Sequence, residues 1–232
     1  MSTSALSLPW IRSSLRWSGL VLAALVTSWA ILVVRAPVDA MQGVIQKVLY
    51  VHVPCAFSAY AGFFGTALCS ALYLWSNDER FDRFAAASAE VGVVFCTLVI
   101  LTGPIWAKGT WGRWWEWDPR LTVTLLLWFI YLAYLLLRSF TEGSARTARF
   151  AAVYGIAGVL AIPLNYFAID LFGGAAMHPD NLERGSLGEG MGWPFAIGVA
   201  AGLAAYAHLL LLRTDLESLR AEAVADDPLS GA

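Results

Sequence analysis

Six stretches of this 232-residue chain, at roughly 18–34, 54–75, 84–105, 121–137, 150–169 and 194–212, are apolar enough and about long enough to cross a bilayer. A crossing needs about 20 mostly apolar residues at 1.5 Å per residue. Backbone groups inside lipid must find their partners within their own segment, so each run is expected to be a helix. Composition agrees: 59% of the residues are hydrophobic and 14% charged, against roughly 45–50% and 25% in soluble domains. The expected fold class is therefore an all-α integral membrane protein with six transmembrane helices. It forms a single membrane domain over 1–232, with a polar tail at 216–232.

The first run is the shortest reading. Arg12 and Arg16 precede it and Arg35-Ala36 closes it, so a cleaved signal peptide competes with a retained anchor. Its 17 residues exceed the usual signal-peptide apolar region of about 7–15, which favours the anchor. Cleavage would leave the orientation of the remainder unchanged.

Orientation follows from Lys and Arg. With the N-terminus inside, the inner segments hold nine of these residues and the outer segments six. Three of the outer six, Lys108, Arg113 and Arg120, belong to one Trp-rich segment with a role of its own. Without them the bias is nine to three, so both termini are expected to be cytoplasmic.

The apolar runs carry little ionisable chemistry. Glu90 in the third and His208 in the sixth are the exceptions, and Gly198-x-x-x-Gly202 is a helix-packing pattern. Cys55, Cys69 and Cys96 form no C-x-x-C pair and no C-x-x-C-H, so neither a metal site, a redox pair nor a c-type attachment site is indicated. The chain also lacks a Gly-x-x-x-x-Gly-Lys-Ser loop, so any ATP-driven step belongs to a partner.

The informative segment is 106–120, expected to be an extracytoplasmic loop. Five of the eleven Trp fall between Trp106 and Trp117. Interfacial belts place Trp at helix ends, but such a density on one connection points to a large, flat, apolar ligand. Indole faces offer it contact area at low entropic cost. Lys108, Arg113 and Arg120 border that platform, and guanidinium groups pair bidentately with carboxylates. Haem, a flat macrocycle with two propionates, has the matching build. The competing role for these cations is contact with membrane lipid headgroups. Asp118-Pro119 also makes an ordinary helix start, with Asp at the N-cap and Pro in the first turn.

Imidazole is the usual axial ligand of haem iron, and the chain has three His. His52, in Val-His-Val-Pro, and His178, in Met-His-Pro, both fall on the outer side with the Trp segment. His208 lies within the last helix towards the inner face and reads as a packing residue. Gly173-Gly174, Gly185, Gly188 and Gly190 surround His178 and would loosen its loop.

These residues resemble a known family. Trp111-Gly-x-Trp114-Trp115-x-Trp117-Asp118 is similar to the tryptophan-rich signature of the haem-handling proteins of cytochrome c maturation. Two larger branches, the haem lyases CcmF and CcsA, follow this signature with Asp-Pro and an acidic residue and have more helices. Here Asp118-Pro119-Arg120-Leu121-Thr122 follows, on six runs with one His in each flanking outer segment, which resembles the CcmC (haem exporter protein C) branch over essentially the whole chain. Pro119 departs from several relatives.

The resemblance implies a haem-presenting transfer protein, not an enzyme, on the periplasmic side of the bacterial inner membrane. Its cargo would be haem b, held transiently with His52 and His178 as axial ligands of the iron. Trp111, Trp114, Trp115, Trp117 and Asp118 would form the haem-binding signature, bordered by Lys108, Arg113 and Arg120. The partners implied are the haem chaperone CcmE, the CcmA–CcmB ABC module and the small protein CcmD, with membrane lipids around it and no nucleic acid. A haem lyase activity is the alternative, and a membrane cytochrome b subunit a further one, although that would want His pairs inside the bilayer.

Overall fold

A computed structural model describes residues 9–139, 145–172, 178 and 187–225. Helix α1 (Pro9–Arg35) is followed by a 3₁₀ turn (Val44–Val48), α2 (Leu49–Ser76), α3 (Glu79–Trp111) and α4 (Pro119–Ser139). Then come α5 (Ala145–Gly158), the short α6 (Ala161–Tyr166) and α7 (Ala168–Phe172), and α8 (Gly192–Ala225). Six helical spans among the described residues are long and apolar enough to cross a membrane, and the protein is an all-α six-span membrane protein. Gly173, Gly174, Arg184 and Gly185 lie outside the described residues.

Helices α2 and α3 form the centre. A Cβ on Gly62 would stand 2.5 Å from the Cα of Gly92, so the two backbones touch there and Gly62 has no room for a side chain. Ser88 donates from Oγ to the Gly62 carbonyl at 2.7 Å across the same contact. Lipid is as apolar as any side chain, so close backbone approach and interhelical hydrogen bonds hold such helices together. The turn joining them is two residues long. Asn77 takes the left-handed conformation and donates to the Tyr73 carbonyl at 2.8 Å, and Asp78 caps α3 by accepting from the Arg80 N–H at 2.9 Å.

Helix α8 packs on α2 and α1 through the Gly198 and Gly202 positions. A Cβ on Gly198 would lie 2.9 Å from Trp29 Nε1, and one on Gly202 would lie 2.8 Å from Ser58 Oγ. Trp29 of α1 has a second task. Pro54 has no N–H, so the Tyr50 carbonyl one turn earlier loses its helical donor, and Trp29 Nε1 donates to it at 3.2 Å. Glu90 is paired with Arg213 of α8, which also holds Glu217. His208 Nδ1 is hydrogen-bonded to Ser18 Oγ of α1 at 2.9 Å, which ties α8 to α1.

Three boundaries differ from expectation. The fifth run, expected as one helix over 150–169, breaks after Gly158. Pro163 cannot donate and crowds the carbonyl four residues back, and the chain restarts as α6 and α7. Helix α3 continues to Trp111, so the segment expected as a loop over 106–120 is a turn over 112–118 between two helices. Helix α3 accommodates Pro104 within its length and runs on to Gly112, which caps it at φ 76° with its N–H on the Lys108 carbonyl. Part of the polar tail expected at 216–232 is an extension of α8 to Ala225, in keeping with its Leu, Glu, Arg and Ala content.

Candidate functional site

A cavity of about 450 Å³ opens between α2, α3, α4 and α6, at the end of the bundle that carries the Trp-rich turn. That volume lies within the range of small-molecule and cofactor sites. Its lining includes His52 of α2, Trp106 and Trp111 of α3, Trp115 of the turn, Arg120 of α4, and His178. Two histidines far apart in the chain thus face one space whose walls are largely apolar. The deeper part is closed by Cys96, Val99, Ile100 and Leu127.

His52 is held from α3. Its Nδ1 is 2.9 Å from Thr102 Oγ1, and its ring meets Trp106 edge-on, with centroids 5.7 Å apart at 72°. Trp106 is itself fixed, since its Nε1 donates to Gln42 Oε1 at 2.9 Å. Gln42 is delivered by the connection after α1. Asp39 Oδ1 there accepts from the N–H groups of Met41 and Gln42 at 2.8 and 2.7 Å, an Asx turn of the kind Asp forms readily.

His178 is held from the start of α4. Its backbone N–H donates to Asp118 Oδ2 at 3.3 Å, and its Nδ1 lies 3.5 Å from Arg120 Nη1. Arg120 also donates from Nη2 to the Tyr166 carbonyl at 2.6 Å. Asn165 of α6 fastens this wall: its Nδ2 donates to the Arg120 carbonyl at 3.1 Å and to Thr124 Oγ1 at 2.8 Å, and its Oδ1 accepts from the Tyr60 hydroxyl. The break between α5 and α6 is what brings this buried amide to the cavity.

The structure sorts the residues singled out by sequence into three groups. His52, His178, Trp111, Trp115 and Arg120 line the cavity. Asp118 lies behind it, 4% exposed, capping α4. Trp114 and Trp117 point outward, 60% and 74% exposed, and do not line it. Lys108 and Arg113 do not line it either. Lys108 Nζ donates to the Gly112 carbonyl at 2.8 Å and stands 6.0 Å over the Trp114 ring. Arg113 pairs with Glu116 at 2.6 Å, which raises the guanidinium pKa. The expected trio of bordering cations thus contributes one side chain, Arg120, to the lining.

Thr102, Gln42, Tyr60 and Asn165 also serve the site without any mark in the sequence. Each is a lone polar residue whose partner lies on another helix, so nothing in its own neighbourhood marks it. Trp115 carries a further signal: its Nε1 is buried and has no hydrogen-bond partner among the described residues. A buried donor left unpaired costs about 1–3 kcal/mol. A ligand acceptor in the cavity would relieve it.

The chain is similar over most of its length to proteins of one family. The family model described as "Heme exporter protein C" matches residues 2–227. The heme exporter protein C of Paracoccus denitrificans is 31% identical over 227 residues, covering 95% of this chain and 90% of that protein. That of Haemophilus influenzae is 32% identical over 192 residues, covering 81% and 77%. A putative cytochrome c biosynthesis ccmC-like mitochondrial protein of Marchantia polymorpha is 34% identical over 135 residues, covering 58% and 57%.

Proposed function

Because the chain belongs to the haem exporter protein C family of cytochrome c maturation, we propose that it holds haem b in this cavity and delivers it to the haem chaperone CcmE. The site faces the periplasm from the bacterial inner membrane in this reading. An ABC module of CcmA and CcmB and the small protein CcmD complete the assembly, and the chain itself performs no covalent chemistry.

The observation that carries the reading is the convergence of His52 and His178 on one Trp-lined cavity. Two imidazoles would coordinate the iron from opposite faces, leaving it six-coordinate and low-spin. Trp106, Trp111 and Trp115 give the macrocycle apolar contact. Arg120 and the Trp115 Nε1 supply donors of the kind a propionate accepts. Release is then a matter of exchanging ligands. His52 sits within a long helix and is braced from α3, whereas His178 is held through Asp118 and Arg120 outside any helix. His178 is the ligand suited to leave.

Co-expression with the chaperone tests this directly. Covalent haem on the chaperone is expected with the wild-type chain and is expected to fall below about a tenth of that level with His52→Ala or His178→Ala. Normal loading by both variants at equal protein level would overturn the proposal. Orientation is tested separately with single cysteines in a background lacking the native three. Thr110→Cys should react with an impermeant reagent added outside and Asn77→Cys should not, and the reverse pattern would place the cavity on the cytoplasmic side.

A further inference from the structure

We propose that Thr102 sets the tautomer and direction of His52, so that the imidazole presents the lone pair of Nε2 to the cavity. This rests on the reading of His52 as an iron ligand. Thr102, Gly103 and Trp106 lie at i, i+1 and i+4 on α3, and all three face the His52 ring. The Thr102 Oγ1 is 2.7 Å from the Leu98 carbonyl and 2.9 Å from His52 Nδ1. A hydroxyl has one proton to give. Only one assignment makes both bonds: Thr102 donates to the Leu98 carbonyl, which can only accept, and His52 Nδ1–H donates to Thr102.

The reverse assignment fails: with Thr102 donating to Nδ1, its single proton is taken, and the 2.7 Å contact between Thr102 Oγ1 and the Leu98 carbonyl becomes two acceptors facing each other. An unmade bond at a half-buried, largely apolar site is costly. With Nδ1 protonated, Nε2 is the nitrogen left for a metal. Ligating histidines commonly donate their other N–H to a fixed acceptor, which holds the ring orientation and raises ligand basicity.

Sterics reinforce the aim. A Cβ on Gly103 would come within 3.3 Å of His52 Cε1, so the ring lies against the α3 backbone on that side. Trp106, anchored by Gln42, blocks another. Thr102 is thus a positioning residue, acting through His52.

The test uses the purified full chain in detergent, titrated with ferric haem and followed by absorption. Thr102→Val removes the acceptor at constant shape, and Thr102→Ser keeps a hydroxyl. Loss of an outer hydrogen bond to a ligating His lowers affinity about 10–100-fold. Thr102→Val should show a loss of that size, a more positive midpoint potential and a smaller low-spin fraction, with Thr102→Ser close to wild type. In the haem-free protein, ¹⁵N spectra of labelled histidine should show His52 as the Nδ1–H tautomer, assigned by its disappearance in His52→Ala. Wild-type affinity, potential and tautomer in Thr102→Val would overturn the inference, as would an Nε2–H tautomer in the wild-type protein even if Thr102→Val does not fold. If His52→Ala keeps the low-spin spectrum, the ligand reading itself fails, and the haem-free spectra still decide whether Thr102 sets the tautomer.

Discussion

Asp118 and His178 are joined through a carboxylate that does two jobs: Oδ2 accepts from the His178 backbone N–H at 3.3 Å while Oδ1 caps α4 at the Arg120 N–H, 2.9 Å away. The start of a transmembrane helix and a candidate iron ligand are therefore positioned by one side chain. Replacing Asp118 by Ala removes both bonds. The lost cap should cost about 1 kcal/mol of stability, and His178 should lose the bond that fixes its backbone. Asp118→Asn, keeping its oxygen towards the Arg120 N–H, retains the cap but presents an amide NH₂ to a backbone donor. Haem content and thermal melting separate the two effects: Asn should melt near wild type yet hold less haem, and Ala should be impaired in both. Wild-type haem content in both variants would disconnect Asp118 from the site.

The five tryptophans between Trp106 and Trp117 are not equivalent. Trp111 and Trp115 line the cavity, and Trp114 and Trp117 are exposed beyond it. Truncating a ring buried against a ligand typically costs about 2 kcal/mol or more, which exceeds tenfold in affinity. Haem titration should show such a loss for Trp111→Ala and Trp115→Ala. Trp114→Ala and Trp117→Ala should bind haem within about twofold of wild type. Equal losses in all four would mean that the turn closes over the ligand as a unit.

His208 serves packing. Its Nδ1 is hydrogen-bonded to Ser18 across the α1–α8 contact, and it does not line the cavity. His208→Ala should leave the haem spectrum unchanged and lower thermal stability by about 1 kcal/mol, the worth of one such bond. A haem spectrum abolished by this change alone would favour a site inside the bilayer, as in a membrane cytochrome b.

The six spans are legible in sequence because length and apolarity alone set them. Their ends are less so. Trp-Ala-Lys-Gly-Thr-Trp at 106–111 reads as a loop by polarity, yet α3 runs through it until Gly112 allows a left-handed cap. The fifth run looks continuous, but Gly158 must be small beside Ile130 of α4 and Pro163 follows, so the helix breaks and Asn165 reaches the cavity. In the candidate site, the histidines and tryptophans stand out by residue type. Arg113 and Lys108 stand out too, but short-range partners, Glu116 and the Gly112 carbonyl, hold them away from the lining. The braces Thr102, Gln42 and Asn165 leave no mark, because each works through a partner on another element.

His52 and His178 are proposed to ligate one iron. The most direct measurement is the absorption and electron paramagnetic resonance spectrum of the purified ferric-haem-loaded protein beside its His52→Ala and His178→Ala variants. Wild type should be six-coordinate and low-spin, and each variant should turn high-spin or lose its haem. Exogenous imidazole should restore the low-spin spectrum in whichever variant keeps its cavity open. A low-spin spectrum that survives in either variant without added imidazole would contradict the claim.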